Sequence, residues 1–256
     1  MSARRMHPGP NRVSIVVSAA ALLTISAGAH AHTSAELEDA AARIQYAFYT
    51  ADTRELEQVL SIVSGLDAPV AGMKEYYGAY GNWKLSQLYA RTASTNKAAA
   101  RGAGKASQEC ERQAKAAVAL DARMAEAYAL EAICSGAGTG LMGGSCVRSK
   151  PMRTALELEP QNPRIRLIEL LCRNRDEKGS VKLQDLRELV AAFEASPSRP
   201  GRPDWGQAEA LVLLGESYLQ RGDSVAARDA TERALVVAPD YREAQELLQA
   251  AAARPR

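Results

Sequence analysis

The sequence predicts an all-α fold built from repeated helical hairpins, and three observations support this prediction. First, 46% of the 256 residues are hydrophobic but only 5% are aromatic. Alanine is abundant and β-branched runs are few, which favours closely packed helices over strands. Second, residues 208–241 have the pattern of two helices joined by a short turn. Third, a small residue stands five positions before a proline at several places along the chain.

The segment 208–241 is the clearest repeat. Its first helix has an apolar and small-residue stripe at i, i+3, i+4 and i+7, formed by Leu211, Leu214, Gly215 and Tyr218. Gly222 and Asp223 interrupt this pattern. A second helix carries Ala227 and ends before Pro239, because a proline has no backbone N–H with which to continue it. Small residues therefore lie where the two backbones approach, and the segment is predicted to be a helical hairpin.

This hairpin resembles a tetratricopeptide repeat (TPR). The family pattern of aromatic-x2-Leu-Gly-x2-Tyr, Ala-x3-Phe and Pro is matched by Leu214, Gly215, Tyr218, Ala227 and Pro239. The chain departs from it at Leu211, where an aromatic residue is usual, and at Thr231, where Phe is usual. The resemblance implies a right-handed α-solenoid over residues 32–256 whose inner helices present a concave surface, and it implies a scaffold without chemistry.

The first helices follow from stripes and caps. A helix over 34–50 has an acidic first turn, and Asp52 caps a second helix that ends at Gly65. Residues 70–91 form one long, aromatic helix in which Gly78 and Gly81 indicate a close helix crossing. Its partner is predicted over 96–121, with a stripe of small residues that includes Cys110.

The later helices are predicted over 124–135, 146–159, 163–173 and 181–195. Pro151 must lie in the first turn of its helix or kink it. The helix from Pro163 has two possible registers. Counting on from Pro160 puts charged residues on the expected apolar face, namely Arg166, Glu169 and Arg173, whereas a shift by one residue puts Leu167, Leu170 and Leu171 there.

The number of hairpins follows from the small residues that precede prolines. They are Ser64, Ala155, Ala192 and Ala234, and Ala117 fits the series with Ala122 in the place of the proline. Their intervals exceed the TPR period of 34 residues, because a tyrosine-rich region, the glycine-rich segment 136–144 and the proline-rich connection 196–203 add length. The count predicts five hairpins plus a terminal helix over 241–252 that caps the exposed end.

The N-terminus has the three regions of a secretory signal peptide. Arg4, Arg5 and Arg12 precede an apolar run over 13–25, and small residues around Ala29 and Ala31 supply a cleavage site. We therefore expect residues 1–31 to be removed, a mature chain that starts at His32, and a periplasmic or secreted location in the bacterial cell envelope. The alternative is an apolar N-terminal helix that stays anchored. The apolar run is too short to span a bilayer, so no stable membrane insertion is expected after cleavage.

The charge and the histidine content limit the function. Cleavage would remove three of the 32 basic residues and none of the 30 acidic ones, which leaves a nearly neutral chain and no basis for a nucleic-acid partner. Of three histidines, His32 alone would remain, so we expect no catalytic residue and no enzyme activity. The glycine-rich segment 136–144 lacks the phosphate-loop pattern, and the cysteines lack C-x2-C spacing, so no cofactor and no metal site is predicted.

The four cysteines, at positions 110, 134, 146 and 172, allow three disulfide pairings in an exported protein. A bond between Cys134 and Cys146 is the favoured one, since it would close the glycine-rich segment between two helices. The alternative is that the cysteines are buried small hydrophobic residues. This alternative suits Cys110, which occupies the close-approach position that Ala227 has in the last hairpin.

The predicted function is that of an exported, non-catalytic, TPR-type scaffold that binds a protein or peptide of the cell envelope. The predicted binding face lies on the first helix of the last hairpin and consists of Glu209, Val212, Glu216, Leu219 and Gln220, a mixture suited to an extended peptide with Lys or Arg. The face could also be an ordinary solvated one.

The alternative function is an envelope glycan-binding or accessory subunit that uses the aromatic helix around residues 76–89. Tyr76, Tyr80 and Trp83 lie on one side of that helix. Aromatic residues at helical spacing are more often core, and Tyr77 on another face suggests burial all round.

Overall fold

A computed structural model describes residues 23–67, 70–135, 145–177, 181–196 and 203–253, with side chains from residue 35 onwards. Within these ranges the regular secondary structure is helical. The helices are α1 (Leu23–Tyr49), α2 (Thr53–Gly65), α3 (Met73–Ala90), α4 (Lys97–Leu120), α5 (Ala125–Ser135), α6 (Lys150–Leu158), α7 (Pro163–Asp176), α8 (Leu183–Glu194), α9 (Gln207–Gln220), α10 (Ser224–Val237) and α11 (Arg242–Ala253).

The described helices form a TPR-like stack of hairpins. Each odd-numbered helix from α1 to α9 packs against the even-numbered helix that follows it, and α11 packs on α10. Neighbouring hairpins are joined by contacts of α3 with α1 and α2, of α5 with α3 and α4, of α7 with α5, and of α9 with α8. Five hairpins and a terminal helix were predicted, and the described residues confirm them.

The helix boundaries are set by polar caps and prolines. Asp52 and Asp223 accept hydrogen bonds from backbone N–H groups in the first turns of α2 and α10, which satisfies donors that a helix start leaves unpaired. Gly222 has φ of +83°, a left-handed conformation that lets the chain reverse between α9 and α10. Pro151 lies in the first turn of α6, as one of the two predicted alternatives required.

Three sequence predictions fall wholly or partly on residues outside the described ranges. Residues 1–22 of the predicted signal peptide, the glycine-rich segment 136–144 and residues 197–202 of the proline-rich connection are outside them. Helix α1 begins at Leu23 and is continuous past the predicted cleavage site, whereas the sequence predicted a helix start at Ser34. The first buried residue of the described side chains is Leu37, so cleavage before His32 leaves the described core intact.

The glycines of α3 mark close helix crossings, as predicted. A Cβ atom on Gly78 would overlap Gln113 of α4, and a Cβ atom on Gly81 would lie 2.7 Å from Leu60 of α2. Helix α3 therefore has close neighbours on two sides. Most of its side chains are buried, including four of its aromatic rings.

Helix α7 adopts the shifted register of the two that the sequence allowed. Leu167 and Leu170 are buried, and Arg166 is half exposed. Glu169 is also buried, and it is tolerated there because Arg173 Nη2 lies 2.7 Å from its Oε1. The leucines thus form the core-facing stripe, and the arginines flank it.

The predicted bond between Cys134 and Cys146 is wrong in this structure. Cys134 pairs with Cys110, which fastens α5 to α4, and Cys146 pairs with Cys172, which fastens the segment before α6 to α7. The Cα–Cα distances are 6.0 and 5.4 Å. Each pair lies at roughly equal sequence distances on the two sides of an interhelical turn, so antiparallel packing brings its members together. The prediction of a Cys134–Cys146 bond rested only on the glycine-rich segment between these two cysteines.

Gly215 is at the closest contact of the last hairpin. A Cβ atom there would lie 2.8 Å from Thr231 Oγ1, 3.0 Å from Leu247 Cδ2 and 3.3 Å from the carbonyl oxygen of Ala227. The sequence had predicted that Gly215 faces Ala227, and this is confirmed. Thr231, where the TPR family has Phe, is fully buried beside it.

We expect Gly215→Leu to lower the free energy of unfolding by about 1–3 kcal/mol, because the added side chain overpacks this contact. The measurement is thermal or urea unfolding followed by circular dichroism. The matched control is Glu216→Leu at the next position, where the side chain is only partly buried and no destabilisation is expected. Equal losses in the two variants would contradict the assignment of the helix faces.

Candidate functional site

The five residues predicted to bind a partner do share one face of α9, but that face turns towards the rest of the chain. Glu209, Val212 and Leu219 are only 7%, 2% and 8% exposed. Glu216 is partly buried, and Gln220 is exposed. Glu209, Val212 and Leu219 are therefore inaccessible to a partner, so the prediction that all five residues form one binding face is wrong for these three.

Glu209 joins three helices in the interior. Its Oε1 lies 3.0 Å from Nζ of Lys84 on α3, and its Oε2 accepts a hydrogen bond of 2.9 Å from the hydroxyl of Tyr49 on α1. Burial lowers the pKa of Lys84, while the Glu209 carboxylate acts in the opposite direction. Burial raises the pKa of the Tyr49 hydroxyl, and the neighbouring Glu209 raises it further. The Lys84–Glu209 ion pair thus occupies the face of α9 that the sequence predicted to bind a partner.

Aromatic rings surround the Lys84 ammonium. Its Nζ lies 4.1 Å from the ring centroid of Trp83 and 4.3 Å from that of Phe48, which are distances for cation–π attraction. The charge is thus held by one carboxylate and by ring faces, and only 1% of Lys84 is exposed. This role of Lys84 was not predictable from the sequence, because a lysine within an aromatic helix gives no signal of its partner on a helix 125 positions later.

The aromatic helix is core, as the sequence analysis favoured. Tyr76, Tyr80 and Trp83 are buried. Tyr80 stacks on Trp205 with ring centroids 4.8 Å apart, and Trp205 Nε1 donates a 2.8 Å hydrogen bond to the Tyr76 hydroxyl. These rings have no exposed face to offer a sugar, so we do not carry the glycan-binding alternative further.

A second buried polar network lies at the N-terminal ends of α3 and α5. The Tyr76 hydroxyl donates to Glu126 Oε2 at 2.5 Å, and Arg164 Nε and Asn162 Nδ2 each donate to Glu126 Oε1 at 2.7 Å. The network borders a cleft of about 590 Å³ whose other walls include Met73 and Met124. Because the carboxylate is already satisfied by its own chain, the network explains packing between hairpins rather than binding.

Contacts of α11 and the residue before it with the ends of α1 and α3 close the interior. Arg91, at the end of α3, pairs with Glu243 of α11 at 2.8 Å, and the Tyr241 hydroxyl donates to the same carboxylate oxygen at 3.0 Å. The rings of Tyr49 and Tyr241 lie 4.6 Å apart. The first and last helices of the described chain thus meet through side chains, and the interior between them is occupied.

A groove remains open between α7, α8 and α9. Its volume is about 180 Å³. Its walls combine apolar side chains with a carboxylate and polar groups, among them Leu170, Leu171, Leu213, Glu216, Ser217 and Gln220. Two of the five predicted binding residues, Glu216 and Gln220, therefore line an accessible site.

Glu216 is the chemically unusual member of this groove. Within the described part of the chain, no hydrogen-bond donor or cation pairs with its carboxylate. Burial raises its pKa to about 7, and the negative charge of Glu243 adds to the shift. A half-buried carboxylate without a partner is disposed to take either a proton or a cation.

Two further properties concern the described residues. No group of three or more His, Cys, Asp or Glu side chains among them is placed to hold a metal ion. None of the helices in these ranges combines the length and the hydropathy of a membrane span.

Comparisons with known proteins give a similarity at the level of structure. No protein-family model and no curated protein matches the chain. Among solved structures, the chain is similar to one described as "Crystal structure of YrrB: a TPR protein with an unusual peptide-binding site". The identity is 15%, the TM-score is 0.35, and the match covers 78% of this chain and 93% of that chain. A TM-score this low does not transfer a binding site from that protein to this chain.

Proposed function

We propose that this chain is an exported interaction scaffold that holds a protein or a peptide of the bacterial cell envelope. The observation that carries the proposal is the groove between α7, α8 and α9, where apolar walls surround the unpaired Glu216 carboxylate. Leucine side chains around a partly buried carboxylate are suited to recognition, since the apolar area supplies affinity and the polar group orients the ligand.

Two of the helices around the groove are linked to other parts of the chain. Helix α7 is fastened to the segment before α6 by Cys146–Cys172, and α9 is fixed to α3 by the Lys84–Glu209 pair. A preorganised groove loses less conformational entropy on binding than a flexible one. The buried interior stabilises the site and is not itself the binding surface.

Export is supported by two independent features. The N-terminal order of basic, apolar and small residues is that of a signal peptide. All four cysteines of the sequence are paired in the described structure, and disulfides persist in oxidising compartments such as the periplasm. Both features favour the cell envelope as the place where the scaffold works.

The direct test of the scaffold is site-specific photo-cross-linking in the native compartment. A photoreactive amino acid at Gln220 places the probe at the groove, and the matched control places it at Val236, which is 83% exposed on α10. We expect defined cross-linked products, identified by mass spectrometry, from position 220 and not from position 236. Products of equal yield from both positions, or none from position 220, would contradict a partner in the groove.

Processing gives a second expected result. Intact-mass measurement of the exported protein should find a chain that begins at His32, because Ala29 and Ala31 supply the small residues that a signal peptidase recognises. The control is a variant with Ala31→Phe, in which processing should slow. A membrane-bound form that retains residues 1–31 would refute the proposed location.

A further inference from the structure

We infer that the groove between α7, α8 and α9 takes the basic side chain of a partner, a lysine or arginine flanked by apolar residues, with the Glu216 carboxylate as its anchor. This inference rests on the proposed scaffold function and deepens it by naming the chemical class of the partner. It concerns only Glu216 and the groove, not the buried face around Glu209.

Among the described residues, Glu216 has no cation as a partner in a place where a carboxylate needs one. Buried or half-buried carboxylates are rarely left without a partner, because leaving water costs free energy that a hydrogen bond or an ion pair must offset. The cations of the surrounding helices are engaged elsewhere. Arg221, which follows α9, donates to the carbonyl oxygen of Ser217, Arg173 of α7 pairs with Glu169, and Arg91, which follows α3, pairs with Glu243.

The walls of the groove suit a long side chain with a charged end. Leu170 and Leu171 of α7, Leu186 of α8 and Leu213 of α9 line the groove around the carboxylate. A lysine or arginine has an aliphatic stem that packs on such surfaces while its charged end reaches a carboxylate. An apolar neighbour in the partner would use the remaining leucine surface. The groove thus fits a cationic side chain better than a short polar one.

An acidic partner side chain does not fit the groove. Glu243 of α11 adds negative potential at Glu216, and its own cation is already used. An acidic side chain in the groove would bring like charges together at a partly desolvated site, which is unfavourable. The negative potential at Glu216 therefore favours a cation over an anion as its partner.

The affinity of Glu216 for a basic side chain should depend on pH. The groups that face Glu216 are Glu243 and, in the groove wall, Arg221, and the pKa of Glu216 lies at about 7. A bound cation favours the ionised carboxylate, so binding lowers this pKa and releases a proton. Between pH 6 and pH 8 the ionised fraction of a group with this pKa rises roughly tenfold. The affinity for a cation should rise by a similar factor.

The test uses small probes, so that it does not depend on the natural partner. The mature protein is titrated with N-acetyl-lysine methylamide, with the neutral isostere N-acetyl-norleucine methylamide and with N-acetyl-glutamate methylamide. NMR follows the labelled Glu216 carboxyl and the methyl groups of Leu171 and Leu213. We expect the lysine probe alone to lower the pKa of Glu216 and to shift these methyl groups, with roughly tenfold tighter binding at pH 8 than at pH 6.

Two variants separate the anchor from general effects of charge. Glu216→Gln should abolish the preference for lysine over norleucine, and circular dichroism should show that it remains folded. Glu232→Gln, which removes an exposed carboxylate on α10, should leave the preference unchanged. Equal binding of the lysine and norleucine probes, tighter binding of the glutamate probe, or an unchanged preference in Glu216→Gln would each overturn the inference.

The outcome is distinguishable from that of the proposed function. Cross-links from position 220 without any preference for the lysine probe would overturn the basic anchor and leave the scaffold standing. A lysine preference that requires Glu216, without cross-links from position 220, would support the anchor and refute the envelope partner.

Discussion

Replacing Glu209 by alanine is expected to lower the free energy of unfolding by about 3–5 kcal/mol. The variant leaves the ammonium of Lys84, which is 1% exposed, without its carboxylate, and it leaves the Tyr49 hydroxyl without its acceptor. Removing one member of a buried ion pair costs more than the pair contributed, because the remaining charge stays desolvated. Urea unfolding at neutral pH, followed by circular dichroism, measures the loss.

The sign of the pH dependence provides a second readout. The pKa of Lys84 in the folded protein lies below its unfolded value because of burial. Between these two values the unfolded chain binds more protons, so this group's contribution to stability rises with pH. In Glu209→Ala the carboxylate no longer opposes the effect of burial on Lys84. The cost of the substitution should therefore shrink as the pH is raised from 7 towards 10.

Two controls identify the buried pair as the cause. Glu194→Ala breaks the exposed pair with Arg233 and should cost at most about 1 kcal/mol. The double variant Lys84→Met with Glu209→Leu removes both charges and should cost less than Glu209→Ala alone. A loss in Glu209→Ala no greater than that in Glu194→Ala would show that water reaches the interior and that the ends of the stack do not close.

Loss of either disulfide is expected to lower the free energy of unfolding by about 3–4 kcal/mol. The bonds join residues separated by 24 and 26 positions, Cys110 with Cys134 and Cys146 with Cys172, and loops of this length restrict the unfolded chain by about that amount. Thermal unfolding of Cys110→Ala with Cys134→Ala, and of Cys146→Ala with Cys172→Ala, measures each contribution. Reduction of the wild-type protein should lower the melting temperature further than either double variant.

The pairing itself is checked with one substitution. Cys134→Ala leaves one free thiol, and mapping of alkylated peptides should locate it at Cys110, with Cys146–Cys172 intact. If Cys134 and Cys146 were bonded, the free thiol would be Cys146. The control is Cys172→Ala, in which Cys146 should become the free thiol.

The sequence alone was sufficient to predict those features of the structure that local chemistry decides. Five hairpins and a terminal helix follow from small residues, caps and prolines, and the described helices confirm them. The contact of Gly215 with Ala227 was also predictable, because a stripe of period 3.6 and a glycine at its centre fix which faces meet. Even the two registers of α7 were available from the sequence, since its leucines and its arginines lie one position apart.

The sequence was insufficient where residues from distant helices meet. Helical periodicity placed Glu209 and Glu216 on the same side of α9. It could not show that Lys84 of α3 occupies the space in front of Glu209, or that no cation of the described residues pairs with Glu216. The pairing of Cys134 with Cys110 rather than Cys146 was likewise decided by which helices pack together. Helical periodicity specifies the direction of a side chain relative to its own helix. Burial, ion pairing and the shift of a pKa depend on what the other helices bring to that side, which only the tertiary structure decided.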